Sequence, residues 1–123
     1  MALQTHDVLA AMAAASHHGV RELRVDGGAS VMGLLLDLQA ALDAVTVRRP
    51  EDLESTSRGA VYLAGLATGI WDSPAEVAQL WTSAADHDPV LARDRFGDLD
   101  ALVHRWHRAI ENCRAWSQDL ASH

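Results

Sequence analysis

The stretch Leu23-Arg24-Val25-Asp26-Gly27-Gly28-Ala29 decides how this chain is read. Glu22 to Asp26 has the make-up of a short strand, with Leu23 and Val25 on one face. Two glycines follow at once. Ser30 to Ala44 then carries Val31, Leu34, Leu35, Leu38 and Leu42 at helical spacing, with Ser30 placed to cap the helix. A strand that runs through Gly-Gly into a helix lets a backbone or a phosphate come close. Glycine has no Cβ in the way, and the free N–H groups of a helix start favour negative charge. In open α/β sheets, ligands sit at the carboxyl ends of strands, where this pair falls. The same pair also serves as a plain connection.

Working outward, residues 2 to 16 carry Leu3, Val8, Leu9 and Met12 among alanines and read as a helix, ended by His17-His18-Gly19 with Gly19 as C-cap. Val45 to Arg48 reads as a second strand, closed by Pro50. Residues 56 to 68 read as a third helix capped by Thr56 and rich in small residues, Gly59 and Gly65 among them. Each glycine costs a helix about 1 kcal/mol against alanine, so two imply a close neighbour. Ser73-Pro74 opens a fourth helix to Leu80, residues 84 to 89 read as loop, and residues 98 to 118 form a long last helix. Its apolar face holds Leu99, Leu102, Val103, Trp106, Ile110 and Cys113. Helix, strand, helix, strand, helix implies parallel pairing through a crossover. Two parallel strands alone make a poor sheet, so this order predicts further strands on the N-terminal side.

At 123 residues and 49 % apolar content the chain is one domain at most, with a modest core. A net charge of −7 argues against a nucleic acid backbone or an anionic membrane as partner. Cys113 is the only cysteine, which excludes an internal disulfide and suits a cytoplasmic compartment. Neither a signal peptide nor an apolar run of membrane-spanning length is expected.

The remaining candidates for chemistry read as structural. His104 and His107 share a helix face but lack further ligands at metal-binding spacing, so no metal site is assigned. His17-His18 and His87-Asp88 read as surface, Cys113 as a small core residue, and Asp26 as a cap for the Gly-Gly turn, with a place near metal-bound phosphates as its other reading. Trp71, Trp81, Trp106 and Trp116 read as anchors for the terminal helices.

Ala2 to Met12, Leu23 to Ala29, Arg49-Pro50-Glu51 and Gly59 to Trp71 resemble, in order and spacing, the C-terminal part of the glycerol kinases within the FGGY family of sugar kinases. Tyr62-Leu63-Ala64-Gly65-Leu66-Ala67, followed by Gly69-Ile70-Trp71, is similar to glycerol kinases more than to xylulose or ribulose kinases. The resemblance runs from residue 2 to residue 117, and glycerol kinases are several times longer than this chain.

The resemblance implies an α/β fold: part of a ribonuclease H-like domain of the actin and hexokinase ATPase type, with parallel strands, over residues 1–72, and a helical C-terminal extension over 73–123. The first three strands of that fold would precede Met1. The implied activity is phosphorylation of glycerol by ATP, with Mg2+ accompanying the nucleotide. Gly27, Gly28 and Ala29 would approach the phosphates, and Met32 would stand on the base side. Two asparagines of the family are Met32 and Gly33 here, its aspartate and glycine in the following segment are Ala41 and Ala44, and its tyrosine before Gln4 is Leu3. Methionine makes none of the hydrogen bonds of an asparagine amide. The family's aspartate base and glycerol-holding residues lie outside the matched segment, so no catalytic residue is assigned. The expectation is one wall of a kinase cleft, inactive alone, completed by an N-terminal kinase half or prone to self-association. A decayed remnant is the other outcome.

Overall fold

The computed structural model describes residues 1–16, 18–51 and 54–121, with side chains to residue 118. Among these the order is α1 (Ala2–Ser16), β1 (Glu22–Arg24), a 3-10 turn (Gly28–Val31), α2 (Gly33–Asp43), β2 (Thr46–Pro50), α3 (Ser55–Thr68), α4 (Pro74–Ala78), β3 (Ser83–His87), α5 (Pro89–Arg93) and α6 (Leu99–Ala121). The chain is a small mixed α/β fold, mostly helical, around one three-stranded sheet.

β1 and β2 pair in parallel, with Leu23 beside Val47, as a strand–helix–strand crossover requires. The third strand was not expected. Residues 84–89 are not all loop: β3 pairs antiparallel with β2, setting Val47 opposite His87 and Arg48 opposite Asp86. Ser83-Ala84-Ala85-Asp86-His87 has little strand propensity of its own, and it is the free edge of β2 that recruits it. The register shifts between Arg49 and Pro50, where proline has no N–H to offer a ladder. β3 thus carries the segment after residue 72 into the sheet built by the segment before it. The outer edge of β1 has no partner strand among the described residues.

The core lies between this sheet and α2. Leu36, Ala40 and Ala41 of α2 meet Val45, Val47, Ala92 of α5 and Leu99 of α6. Ala40 and Val47 are completely buried, and the small side chain lets α2 lie close on its neighbours. Leu38 and Leu42 pack at the margin, whereas Leu34, placed on the apolar face by its spacing, is 64 % exposed.

Element ends depart from the sequence reading in instructive ways. Ser30 does not cap α2, whose N-cap is Met32 without a side-chain bond. It closes the preceding 3-10 turn instead, its Oγ donating to the Gly27 carbonyl at 2.7 Å. Thr56 lies inside α3, which starts at Ser55 behind Glu54. His17 lies outside the described residues, and Gly19 does not take the left-handed conformation of a capping glycine. Ser73 does cap α4, accepting from the Glu76 amide with Pro74 at the first position.

Ala44 ends α2 at φ 53°, ψ 39°, a left-handed conformation that a Cβ disfavours. It is the position where the resembled family carries glycine. Ala44→Gly is therefore expected to raise stability by about 0.5–1 kcal/mol. A urea titration should show a higher midpoint at unchanged slope, and an unmoved midpoint would refute the strain.

Gly65 meets the expectation of a close neighbour. A Cβ there would stand 2.2 Å from Cζ3 of Trp71, whose ring also meets Tyr62 edge-on at 5.5 Å. Gly59 has open space in front of it. Two residues of α6 fall on the wrong side of the reading: Cys113 is exposed, not core, and Trp116 is 68 % exposed and anchors nothing.

Candidate functional site

The turn after β1 is built from its backbone upward. The Val25 amide extends the parallel ladder to the Arg48 carbonyl at 3.0 Å, after which the chain leaves the sheet. Gly27 takes φ 77° with ψ −179°, a conformation open in practice to glycine alone. Its carbonyl receives both the amide and the hydroxyl of Ser30, at 3.0 and 2.7 Å, and the Met32 amide reaches the Ala29 carbonyl at 3.1 Å. The turn is thereby locked while Gly28 and Ala29 stand at its amino end, where helical turns leave their N–H groups without an internal acceptor. A Cβ on Gly27 or Gly28 would meet nothing within 4 Å, so the backbone there is open to an approaching group.

Gly27, Gly28, Ala29 and Met32 therefore share one turn. Beneath it lies a pocket of about 130 Å³ walled by Leu23, Val25, Leu35 and Leu36, with Ala29 and Ser30 at its edge. Of the four expected residues only Ala29 lines this pocket, and Met32 is 56 % exposed on the outside. Asp26 does not cap the turn; it is exposed and makes no side-chain hydrogen bond among the described residues.

On the other face of the sheet, at the carboxyl ends of β1 and β2, Arg24, Asp26, Pro50, Ser55 and Trp81 line a second pocket of about 210 Å³. The Arg24 guanidinium lies 4.3 Å from the Trp81 ring centre, while its Nε donates to Glu22 at 2.8 Å. Sequence reasoning missed this pairing because Trp81 read only as an anchor.

Three histidine–aspartate pairs tie the elements together. His6 meets Asp43 at 2.6 Å and joins α1 to α2, and Gln39 also donates to that carboxylate. Asp7 accepts from Trp106 Nε1 and meets His107 Nε2, each at 2.8 Å, joining α1 to α6. These bonds hold the Asp7 carboxyl below the usual carboxylate range, His107 first and Trp106 second. His87, read as surface, is half-buried instead: its Nδ1 lies 2.5 Å from Asp37 Oδ1, and Asp37 also accepts from Arg95. Among the described residues no group of three or more His, Cys, Asp or Glu stands where it could share a metal ion. No described helix is long and apolar enough to cross a membrane.

Residues 1–68 match the C-terminal domain of the FGGY family of carbohydrate kinases. A glycerol kinase of Aromatoleum aromaticum is 46 % identical over 116 residues, which cover 94 % of this chain and 23 % of that protein. A glycerol kinase of Trichlorobacter lovleyi is 44 % identical over 118 residues, and glycerol kinase 1 of Clostridium tetani 41 % over 118, each with 96 % of this chain and 23 % of the relative covered. The chain thus spans about a quarter of the length of the curated relatives it matches.

Proposed function

This chain belongs to the FGGY family of carbohydrate kinases, whose C-terminal domain it matches, and from that premise we propose that it forms the nucleotide-side wall of a glycerol kinase cleft. The observation that carries this reading is the turn itself: a parallel strand ends, Gly27 takes φ 77°, and Gly28 and Ala29 present an unobstructed backbone at a helical start. In this role Gly27, Gly28 and Ala29 face the phosphates of ATP and Met32 faces the base side. Asp26, exposed and without a partner beside the turn, is the carboxylate available to the water shell of a magnesium ion. Magnesium bound with ATP supplies charge neutralisation on the phosphates. The reaction served is transfer of a phosphoryl group from ATP to glycerol, in the cytoplasm, with the rest of the cleft provided by an N-terminal kinase region. The fold of residues 1–72 is then part of a ribonuclease H-like ATPase domain, buttressed by residues 73–123 through β3 and α5.

A second reading, an assembly module that pairs with a separate N-terminal half, is favoured by the open edge of β1 and the exposed Val61, Leu63 and Ile70 on and just after α3. One wall of a cleft makes few contacts, so ATP is expected to bind in the millimolar range, and Gly28→Val to abolish binding. Calorimetric titration tests this: micromolar affinity, or binding untouched by Gly28→Val, would place the nucleotide elsewhere.

A further inference from the structure

We propose that His87 determines base specificity at this turn, accepting a hydrogen bond from the amino group of adenine through its Nε2. The inference rests on the nucleotide reading above and names a residue that neither the glycine motif nor the family match assigns.

His87 is the last residue of β3 and stands opposite the fully buried Val47, so its imidazole lies on the α2 side of the sheet. α2 starts at Gly33, and a Cβ there would stand 4.0 Å from His87 Cε1. That is ordinary contact distance, so the ring lies against the start of α2, at the residue after Met32. Asp37, one turn further along α2, holds Nδ1 at 2.5 Å and is itself held by Arg95. A carboxylate on Nδ1 fixes the orientation of the ring and draws a proton to that nitrogen. With Nδ1 donating to Asp37, Nε2 is the ring nitrogen left to accept. It has no partner among the described residues and is not sealed from solvent, and the side chain is 15 % exposed.

A half-buried acceptor held rigidly beside the base end of the turn suits a ligand N–H. Adenine offers an exocyclic amine there, whereas hypoxanthine and guanine offer a carbonyl oxygen, which this acceptor repels. The other two histidine–aspartate pairs have no such position. His6 and His107 join α1 to α2 and α6, and both line a pocket that His87 does not, with Leu42, Arg93 and His104.

The test compares ATP with inosine triphosphate, which carries a carbonyl in place of that amine and a proton on N1, in equilibrium titrations of the whole chain. The chain is expected to prefer ATP by about 3- to 10-fold, the worth of one hydrogen bond. His87→Phe is expected to erase the preference, weakening ATP and relieving the repulsion of inosine triphosphate. A preference retained in His87→Phe overturns the inference. Absence of binding by either triphosphate overturns the nucleotide reading as well, so the two failures are distinct. A second measurement uses the unaltered chain: the nitrogen-15 resonance of His87 Nε2 should move on saturation with ATP and stay in place with inosine triphosphate. An Nε2 signal unmoved by saturating ATP overturns the proposal whether or not the variant folds.

Discussion

Mixed with ATP, magnesium and glycerol, the purified chain is expected to form no glycerol 3-phosphate above background, and to form it once the N-terminal part of a glycerol kinase is added. Phosphoryl transfer needs a phosphate cradle, a metal, and a base in line with the attacking oxygen. In the proposed reading the turn at Gly27-Gly28 serves as the first and Asp26 as a contact for the second. Neither Asp7 nor His87 fills the third. Asp7 is committed to Trp106 and His107 at 2.8 Å each, and a carboxyl held below its ordinary range is a poorer base still. His87, oriented by Asp37, has the geometry of a base and its support, yet it lies against Gly33 at the start of α2 and not against Gly27 or Gly28. Alignment of reactants within a closed cleft is worth about 7–11 kcal/mol, so its loss removes turnover from view. A coupled assay for glycerol 3-phosphate decides the matter. Turnover by the chain alone, lost in Gly28→Val, would require a catalytic site in these residues and refute the one-wall reading.

The parts of the fold that the sequence announces are those with strong local patterns. Leu23 and Val25 alternate, Gly27 and Gly28 break the strand, and the leucines of α2 recur at helical spacing, so β1, the turn, α2 and the parallel pairing follow. β3 was hidden because Ser83 to His87 is short, small and polar; its partner, not its composition, makes it a strand. α5 does carry a local signal. Asp88-Pro89 is a capping residue followed by a first-turn proline, and the Asp88 carboxylate does accept from Val90 and Leu91, at 2.8 and 3.1 Å. On α6 the apolar stripe is real, but a stripe cannot tell which of its residues another element covers. Leu99 is buried against the body, while Cys113 and Trp116 extend past it.

The candidate site divides the same way. Gly27, Gly28, Ala29 and Met32 are contiguous, so their meeting on one turn follows from local spacing. The positive φ at Gly27 and at Ala44 could be suspected from a strand–glycine junction and a helix end respectively. Pairs made across the sheet could not. His87 meets Asp37 across 50 residues, and Arg24 meets Trp81 across the width of the sheet, both set by a β2–β3 register that includes an irregularity at Pro50.

At micromolar concentration the chain is expected to sediment as a species heavier than one copy, and Leu63→Lys with Ile70→Lys to return it to a single copy. The extensive packing runs between β2 and β3, α2 and α5, α1 and α2, and β1 and β2; α3 takes no part in it. Leu63 on α3 and Ile70 just past its Gly69 cap are 71 % and 69 % exposed. Val61 is 60 % exposed, and β1 offers an open strand edge near the same body. Covering a leucine and an isoleucine is worth about 1.5–3 kcal/mol each, which changes an association constant by about two to four orders of magnitude. Lysine at both places removes that gain and adds charge repulsion between copies. If the same face receives an N-terminal kinase region, adding that region should compete with self-association, and the double variant should lose both. A wild-type chain that stays a monomer through the micromolar range and unfolds cooperatively would show that the core around Val47 suffices alone and that the α3 face is an ordinary surface.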